Sequence, residues 1–324
     1  MAAECPLPSD VYTEALENHL LLACLASLLH SQDGSLLPPS YGLLCRNDIL
    51  REAKQLLAAD SYADFLCYSL TLSEALPSYP NAILPEAVPL SGEGHSTAES
   101  LAFSILEAGN ASIWEAVRHV IGQLRYERPR HRSMAYQQGA QSFTVGIYAR
   151  HQLVGLSKAT LVHSNVSKLL CSYIAHLCPG FCWTTLVVHC NYATPVHRDP
   201  ANGPFSNFLT MVSTTDCGGL WLQDSTGCEF QEIPDGMCGG RFLQLQDQYI
   251  IFPAHTHWHA TQTWGCYDRY TLVAYTVRNW THLPAAMQRT LQSREFQLPE
   301  DPRAAATLHA EQRVFPTILL DPVA

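Results

Sequence analysis

A histidine and an aspartate two residues apart could hold a metal ion in the second half of the chain. They are His197 and Asp199, in the sequence His-Arg-Asp. Because alternate side chains of a β-strand point to the same side, an imidazole nitrogen and a carboxylate oxygen can converge there. Both are ligands of divalent metal ions. The pair alone is a weak signal, and a metal site needs a third ligand from elsewhere in the chain.

Three histidines stand close together further along, in the segment Pro-Ala-His-Thr-His-Trp-His. His255, His257 and His259 share the parity of one strand face, so all three could point into the same interior. Buried imidazoles need hydrogen-bond partners, and three of them make a poor apolar core. At least one is therefore interpreted as the third ligand. Two histidines and a carboxylate form the facial triad that is typical of non-haem Fe(II) oxygenases.

An arginine stands at the start of a strongly apolar run, where a charge is unexpected. Arg269 lies in the sequence Asp-Arg-Tyr-Thr, at the beginning of the strand-like run 270–277. A buried guanidinium needs an anionic partner, and its planar fork suits a carboxylate. Thr271, on the same strand face, offers a hydroxyl to the same partner. That partner is either a carboxylate ligand or a protein acid such as Asp268 or Glu232.

Together these motifs resemble the Fe(II)/2-oxoglutarate-dependent dioxygenase superfamily. The pattern is HxD, a distal histidine, and an arginine ten residues after it with a hydroxyl residue two positions further. The resemblance implies iron on His197, Asp199 and His259. It also implies that Arg269 and Thr271 bind the distal carboxylate of the co-substrate 2-oxoglutarate. The fold that it implies is a double-stranded β-helix, or jelly roll, with flanking helices.

The resemblance covers roughly 183–278 and leaves two assignments open. His257 competes with His259 as the distal ligand, because their spacing to the arginine differs by only two residues. Asn191 either binds the C1 carboxylate of the co-substrate or closes the turn before Pro195.

Further residues are similar to two narrower groups of the superfamily. Uncharacterised protist members are similar in Asn191-Tyr192, in Asn202 and Asn207, in Gly218-Gly-Leu-Trp221, and in His259-Ala-Thr with the later Asp268-Arg. The HxDxxN arrangement that Asn202 completes, followed by Ser206-Asn207, is similar to the Tet/J-base branch, which oxidises methylated bases or thymine. A modified nucleic-acid base is therefore an alternative substrate class. It is not favoured, since general affinity for nucleic acid depends on lysine and arginine and this chain is acidic.

The elements that must position these residues fall into a helical half and a β-rich half. Helical periodicity begins at Ser9 and recurs at 48–59, 62–76, 96–106, 112–124 and 164–177. Strand-like runs are found at 143–149, 183–188, 207–213, 219–222, 241–245, 249–252 and 270–277. Several short strands separated by turn residues predict a barrel or jelly roll.

We therefore expect an α+β fold in three parts. A helical N-terminal scaffold and linker covers 1–132, and it packs on a double-stranded β-helix oxygenase core over 133–281. A C-terminal tail covers 282–324. No motif with the spacing of metal ligands or of a nucleophile was found in the helical part.

The composition is that of a globular protein. The 324 residues include 19 Lys and Arg and 29 Asp and Glu, a formal net charge of −10, with 47% hydrophobic and 15% charged residues. These values exclude disordered, fibrous and collagen-like chains. The most basic stretch, 125–132, is interpreted as a solvated linker between the two halves, with a nucleic-acid contact as the alternative.

The cysteines indicate the compartment. Twelve are present, no two form a CxxC pair, and no secretory signal precedes them. Reduced thiols in an intracellular protein, cytoplasmic or nuclear, are therefore expected. The apolar run at 20–29 has about half the length of a membrane span, so no membrane association is expected.

The expected function is oxidation of an organic substrate, small or macromolecular, by O2 with Fe(II) and 2-oxoglutarate. Hydroxylation and demethylation are both consistent with this chemistry. The walls of the substrate pocket are expected from loops such as 224–240. Two alternatives would share the barrel: a cupin-like metalloprotein, and a metal-binding module without catalytic activity. Succinate formation would separate both from an oxygenase.

Overall fold

The computed structural model describes residues 2–33, 39–92, 94–128, 139–150, 153–214, 217–265 and 268–300. Within these ranges the chain forms helices and antiparallel β-sheets, which confirms the expected α+β composition. Residues 301–324 of the expected tail and 129–132 of the basic stretch lie outside the described residues. No described helix combines the length and the apolar character that crossing a membrane requires.

Eight α-helices lie in the described ranges, close to the segments that the periodicity predicts. They are α1 Ser9–Asp33, α2 Arg46–Leu56, α3 Ala59–Ala75, α4 Thr97–Glu107, α5 Ile113–Gly122, α6 Lys158–Val162, α7 Ser164–Leu177 and α8 Ala285–Gln292. Serine side chains cap three of them, α4, α5 and α6. The hydroxyl of Ser96 accepts the N–H of Glu99 at 3.2 Å at the start of α4. Ser112 does the same for Glu115 in α5, also at 3.2 Å.

The strands of the described ranges form two main sheets. They are β1 Ala3–Pro6, β2 Ala82–Ile83, β3 Asn110–Ala111, β4 Gln141–Arg150, β5 Leu153–Leu156, β6 Thr185–Cys190, β7 Asn207–Met211, β8 Leu220–Gln223, β9 Glu229–Ile233, β10 Gly236–Leu243, β11 Gln248–Phe252, β12 His259–Thr261 and β13 Tyr270–Tyr275. The large sheet has the order β1-β11-β7-β13-β6-β4-β5, and the small sheet β12-β8-β10-β9. Strands β2 and β3 form a separate pair.

The two sheets pack face to face through a shared apolar cluster. Leu209 and Ile250 of the large sheet belong to it, together with Leu220 and Leu243 of the small sheet. Because side chains alternate along a strand, Phe208 points to the opposite face of the large sheet and joins a different cluster. Alternate residues of each strand therefore line the space between the sheets.

Helices cover the outer face of the large sheet. Val117 of α5 and Ile174 of α7 belong to one apolar cluster with Leu186, Phe208 and Leu272 of the sheet. Burying such a face is what a one-sided apolar sheet requires in water. Of the N-terminal helices, α4 and α5 thus pack on the large sheet, whereas Ile49 of α2 and Phe65 of α3 belong to a separate cluster.

Several elements differ from the sequence predictions, and two of the differences alter the two main sheets. The N-terminal region also supplies a strand, since β1 pairs with β11 at the edge of the large sheet, with Ala3 opposite Ile251. The expected loop 224–240 contains strand β9 and the start of β10, which form a hairpin. Most of β9 is exposed, so its sequence carries no core pattern, and its pairing depends on the backbone ladder.

Candidate metal centre and adjoining cavity

Backbone pairing brings the HxD motif and the histidine cluster together. His197 and His259 form an antiparallel bridge in which each N–H donates to the other's carbonyl oxygen at 2.9 Å. Two residues later, the N–H of Asp199 donates to the carbonyl oxygen of Ala254 at 2.9 Å. His197 and Asp199 share one strand parity, so both face the space between the sheets.

Three side chains converge at this point. His197 Nε2 lies 3.6 Å from Asp199 Oδ1, and His259 Nε2 lies 3.8 Å from Asp199 Oδ2. One ligand atom from each residue lies within 4.8 Å of the other two. Nitrogen and oxygen donors bind a divalent ion at about 2 Å, so one ion between them needs only small side-chain movements.

Each histidine uses Nδ1 to hold its ring in place. His197 Nδ1 lies 2.8 Å from the carbonyl oxygen of Pro195, and His259 Nδ1 lies 3.0 Å from that of His257. A carbonyl oxygen can only accept, so each Nδ1 carries the proton and donates. In the neutral ring, Nε2 then carries the lone pair that can bind a metal beside Asp199.

Two asparagines orient the carboxylate of Asp199. The Nδ2 atoms of Asn202 and Asn207 each donate to Asp199 Oδ2 at 3.4 Å. Asn202 Nδ2 also donates to Asn207 Oδ1 at 3.0 Å, which links the two amides. The asparagine of the HxDxxN spacing, Asn202, thus supports a candidate metal ligand.

Burial keeps His259 in the form that binds metal. Its side chain is buried, and burial together with the neighbouring His197 lowers the pKa of His259 to about 4. The imidazole is therefore neutral at physiological pH, with its Nε2 lone pair unprotonated. A ring held neutral beside a carboxylate is suited to a cation and poorly suited to an ion pair with that carboxylate.

The three donors open onto a cavity of about 100 Å³ between the sheets. Arg269, Thr271, His189 and Tyr192 are among the residues that contribute polar groups to its wall, and side chains such as Phe252 contribute apolar surface. The cavity therefore joins a potential metal site to a buried cation.

Arg269 is buried, with 3% of its surface exposed. Its Nε donates to the carbonyl oxygen of Gly218 at 2.6 Å, and its guanidinium carbon lies 5.4 Å from the ring centroid of Trp264. Burial lowers its pKa to about 10, which leaves it charged at neutral pH. Neither of the acids considered from the sequence, Asp268 or Glu232, forms an ion pair with it.

Glycine is required where Arg269 meets the backbone. Gly218 has φ of +86°, and a Cβ there would lie 2.8 Å from Arg269 Cδ and 2.9 Å from Trp264 Cβ. Both the backbone conformation and the close approach exclude a larger residue. Gly218, the first residue of the Gly-Gly pair that precedes Trp221, thus leaves space for the side chain of Arg269. Trp221 itself is buried, and its Nε1 donates to the carbonyl oxygen of Glu229 at 2.9 Å.

Solved structures that resemble this chain include members of the 2OG-Fe(II) oxygenase family. An oxidoreductase of that family from Burkholderia pseudomallei shares 13% identity over 59% of this chain and 95% of its own, with a TM-score of 0.34. A prolyl hydroxylase from Trichoplax adhaerens, solved with a hypoxia-inducible-factor peptide fragment, shares 12% identity over 60% and 81%, with a TM-score of 0.30. The rice dioxygenase for auxin oxidation shares 12% over 64% and 87%, with a TM-score of 0.30. No family model and no curated protein matches the sequence.

The remaining sequence candidates are placed as follows. His257 is not among the converging donors, and its Nδ1 lies 3.0 Å from Thr256 Oγ1. The Oδ1 atom of Asn191 accepts the N–H of Arg269 at 2.8 Å, and its Nδ2 donates to Asp268 Oδ1. These contacts close the strand end at which Asn191 stands with φ of +51°. Its binding of a C1 carboxylate stays a prediction.

One cavity residue was missed by sequence reasoning. His189 lies on β6 opposite Thr271 of β13, and both line the cavity. Among the described residues, no hydrogen-bond partner is found for its buried Nδ1. The only sequence signal is a histidine with the inward parity of the apolar run that contains β6. Unless the register of β6 against β13 is known, a histidine at this position is predicted to be part of the hydrophobic core.

A second group of donor atoms lies between α2 and α5. Atoms of Cys45, Asp48 and His119 lie within 4.8 Å of one another. Asp48 is already paired with Arg51 at 2.6 Å and with His119 at 2.9 Å. Burial raises the pKa of the Cys45 thiol to about 12, and the Arg118 guanidinium lies beside it. A protonated thiol and two arginines oppose a further cation, so we assign this group to helix packing.

Proposed function

We propose that the chain is an Fe(II)- and 2-oxoglutarate-dependent dioxygenase that hydroxylates or demethylates an organic substrate, small or macromolecular. The observation that carries this proposal is that one cavity contains both a two-histidine, one-carboxylate donor set and the buried cation Arg269. The first suits a redox-active divalent metal with open positions, and the second suits a dicarboxylic co-substrate.

The path of the chain supports a double-stranded β-helix as the framework. From β6 to β13 the chain passes back and forth between the two sheets, with β6, β7, β11 and β13 in the large one and β8, β9, β10 and β12 in the small one. His197 extends the small sheet through its bridge to β12, beside β8 and β10. Two packed antiparallel sheets between which the chain crosses in this way are consistent with a jelly roll.

The donor set fits iron by its chemistry. His197 and His259 would supply unprotonated Nε2 atoms, and Asp199 would supply one carboxylate oxygen. Three protein ligands leave positions for other molecules, as in the facial triad of non-haem iron enzymes. When bound, Fe(II) and 2-oxoglutarate supply the oxidising chemistry, in which the keto acid becomes succinate and CO2 and one atom of O2 enters the substrate.

The cavity wall fits 2-oxoglutarate at its other end. Arg269 would bind the distal carboxylate by charge-assisted hydrogen bonds, and Thr271 would donate its hydroxyl to the same group. A buried guanidinium without an anionic partner is costly, which favours an anion at this place. The keto-acid end would then face Asp199 and the two histidines, which line the same cavity.

The residues of the chain position and shield this chemistry. Asn202 and Asn207 fix the carboxylate of Asp199, and the two Nδ1 hydrogen bonds fix the histidine rings. Leu209 and Phe252 line the cavity and exclude water from its apolar side. The proposed reaction needs no side chain of the chain as a general base.

Anaerobic titration calorimetry with Fe(II) and 2-oxoglutarate tests this proposal. We expect 2-oxoglutarate to bind strongly only to the metal-loaded protein, and Asp199→Ala to lose the metal. Asp224→Ala is the matched control, because Asp224 pairs with Arg241 away from the cavity. The proposal fails if 2-oxoglutarate binds equally well without metal, or if the two variants bind Fe(II) alike. Metal binding with no 2-oxoglutarate binding would favour the cupin-like or inactive module.

We also propose an intracellular location, cytoplasmic or nuclear. The eleven cysteines in the described ranges are free thiols. Mass spectrometry of the native protein under non-reducing conditions tests this proposal, and several stoichiometric disulfides would contradict it.

A further inference from the structure

Arg118 is a buried charge that the proposed chemistry does not use. It lies on α5 with no exposed surface, and it forms no ion pair with a described carboxylate. Its guanidinium donates to the carbonyl oxygens of Gly42 at 2.6 Å and Leu44 at 3.0 Å. It also donates to the carbonyl oxygen of Val212, and it stacks on Trp114 at 4.8 Å from the ring centroid. Burying a charge without an ionic partner lowers the stability of the folded protein, so we expect this arginine to have a specific role.

The segment around Val212, to which Arg118 donates, is hydrogen-bonded to the residue that follows Arg269. The N–H of Val212 donates to the carbonyl oxygen of Tyr270 at 2.9 Å. The hydroxyl of the next residue, Ser213, accepts the N–H of Tyr270 at 3.0 Å. These two contacts fix the backbone immediately after Arg269.

The other segment, which contains Gly42, also contacts the backbone beside Arg269. The carbonyl oxygen of Gly42 accepts the N–H of Thr214 at 3.0 Å as well as the guanidinium of Arg118. A Cβ on Gly42 would lie 3.2 Å from the carbonyl oxygen of Asp268 and 3.3 Å from Ser213 Cβ. The two segments are therefore in close contact beside Arg269, with little space between them.

We propose that Arg118 is a positioning residue for the co-substrate pocket, where it ties the Gly42 and Val212 segments together and so keeps Arg269 in place. The identity of the ligand rests on the proposed function, whereas the contacts of Arg118 do not. An arginine suits this role because its planar fork reaches carbonyl oxygens of two segments at once. The helical N-terminal region then shapes the cavity as well as covering the sheet.

Replacing Arg118 with methionine tests this proposal, because methionine has a similar length and no donors. Hydrogen exchange of the metal-free variant should be faster at the amides of Val212, Thr214 and Tyr270, by about tenfold or more. The dissociation constant of 2-oxoglutarate should rise about tenfold, because the fork of Arg269 is displaced. The affinity for Fe(II) should stay unchanged. If Arg118→Met does not fold, Arg118→Lys is measured in the same way.

The matched control is Glu99→Gln, which removes a buried charge from another helix junction. Glu99 is 3% exposed and accepts the N–H groups of Asn165 at 2.8 Å and Val166 at 3.1 Å. We expect this variant to lower the melting temperature without changing the three amides or the 2-oxoglutarate affinity. Equal acceleration of those amides in Glu99→Gln would show general loosening and overturn the proposal.

The two readouts separate this inference from the proposed function. If the wild-type protein binds no 2-oxoglutarate, the proposed function fails, and exchange at Tyr270 still decides whether Arg118 holds the segments. Unchanged exchange in Arg118→Met overturns the positioning role. Faster exchange with unchanged 2-oxoglutarate affinity also overturns it, since Arg269 then keeps its place without Arg118.

Discussion

His189 and Thr271 lie directly opposite each other in the antiparallel pairing of β6 with β13, and both side chains line the cavity of Arg269. Burial and the charge of Arg269 lower the pKa of His189 to about 3, so its ring is neutral. Its Nδ1 is buried, and no described residue bonds to it. Buried polar atoms are normally paired, so this nitrogen marks a place for a polar ligand atom.

Replacing His189 with phenylalanine should weaken the binding of 2-oxoglutarate about tenfold, because a polar contact inside the cavity is lost. The affinity for Fe(II) should stay unchanged, since His189 is not among the converging donors. Calorimetry of both ligands checks this. His163→Phe is a suitable control, because that ring packs on Phe143 away from the cavity. Equal binding of 2-oxoglutarate by wild type and His189→Phe would contradict the role.

Arg269→Met should raise the dissociation constant of 2-oxoglutarate by a factor of about one hundred, since a charge-assisted contact in a buried site is removed. Fe(II) binding should be nearly intact. Titration of each ligand into the variant measures the two effects, and Arg241→Met, an exposed arginine on β10, is the control. Parallel loss of both affinities would instead indicate that Arg269 serves folding.

Asn207→Ala should weaken Fe(II) binding about tenfold, because the carboxylate of Asp199 loses a donor that orients it. The variant also leaves the partner amide of Asn202 with fewer contacts. Metal titration monitored by calorimetry gives the result. Asn165→Ala, which removes another buried asparagine, should lower stability and leave metal affinity unchanged. An Fe(II) affinity of Asn207→Ala equal to that of wild type would show that Asp199 needs no such support.

Glu14 predicts a pH dependence of stability that is separate from the site. Burial and the carboxylates of Asp10, Glu115 and Glu17 raise the pKa of Glu14 to about 7, although Ser112 donates to it at 2.6 Å. The folded protein therefore binds more protons than the unfolded chain between pH 4.5 and about 7. Its stability should fall as the pH rises through that window.

The variant Glu14→Gln isolates this effect. Relative to wild type, it should gain about 2 kcal/mol in the free energy of unfolding between pH 5 and pH 8, a value reduced for partial exposure. Urea unfolding of both proteins at the two pH values measures the difference. A difference that does not change with pH would show that Glu14 titrates normally.

The convergence of His197 with Asp199 can be predicted from the sequence because it depends on local parity. His197 and Asp199 must share a strand face, and Arg269 and Thr271 must share another, whatever the pairing of the strands. The choice between His257 and His259 depends on which residue lies opposite His197. That is a matter of register between distant segments, which local spacing does not encode.

Other features could not be predicted because their local sequence is typical of a core strand, an amphipathic helix or a loop. His189 stands in an apolar strand, and Arg118 stands among the apolar positions of an amphipathic helix. Strand β9 is mostly exposed, so it lacks the alternation that marks a half-buried strand. In each case the role comes from contacts with residues far away in the chain, and only the tertiary structure supplies them.

The most direct test of the central claim is turnover of 2-oxoglutarate by the purified protein with Fe(II) and O2. We expect succinate to form in a reaction that depends on Fe(II), with slow turnover even in the absence of the substrate. Asp199→Ala should abolish succinate formation, whereas Asp224→Ala should retain it. No succinate from the Fe(II)-loaded wild-type protein, or equal amounts from wild type and Asp199→Ala, would contradict the assignment of a 2-oxoglutarate-dependent dioxygenase.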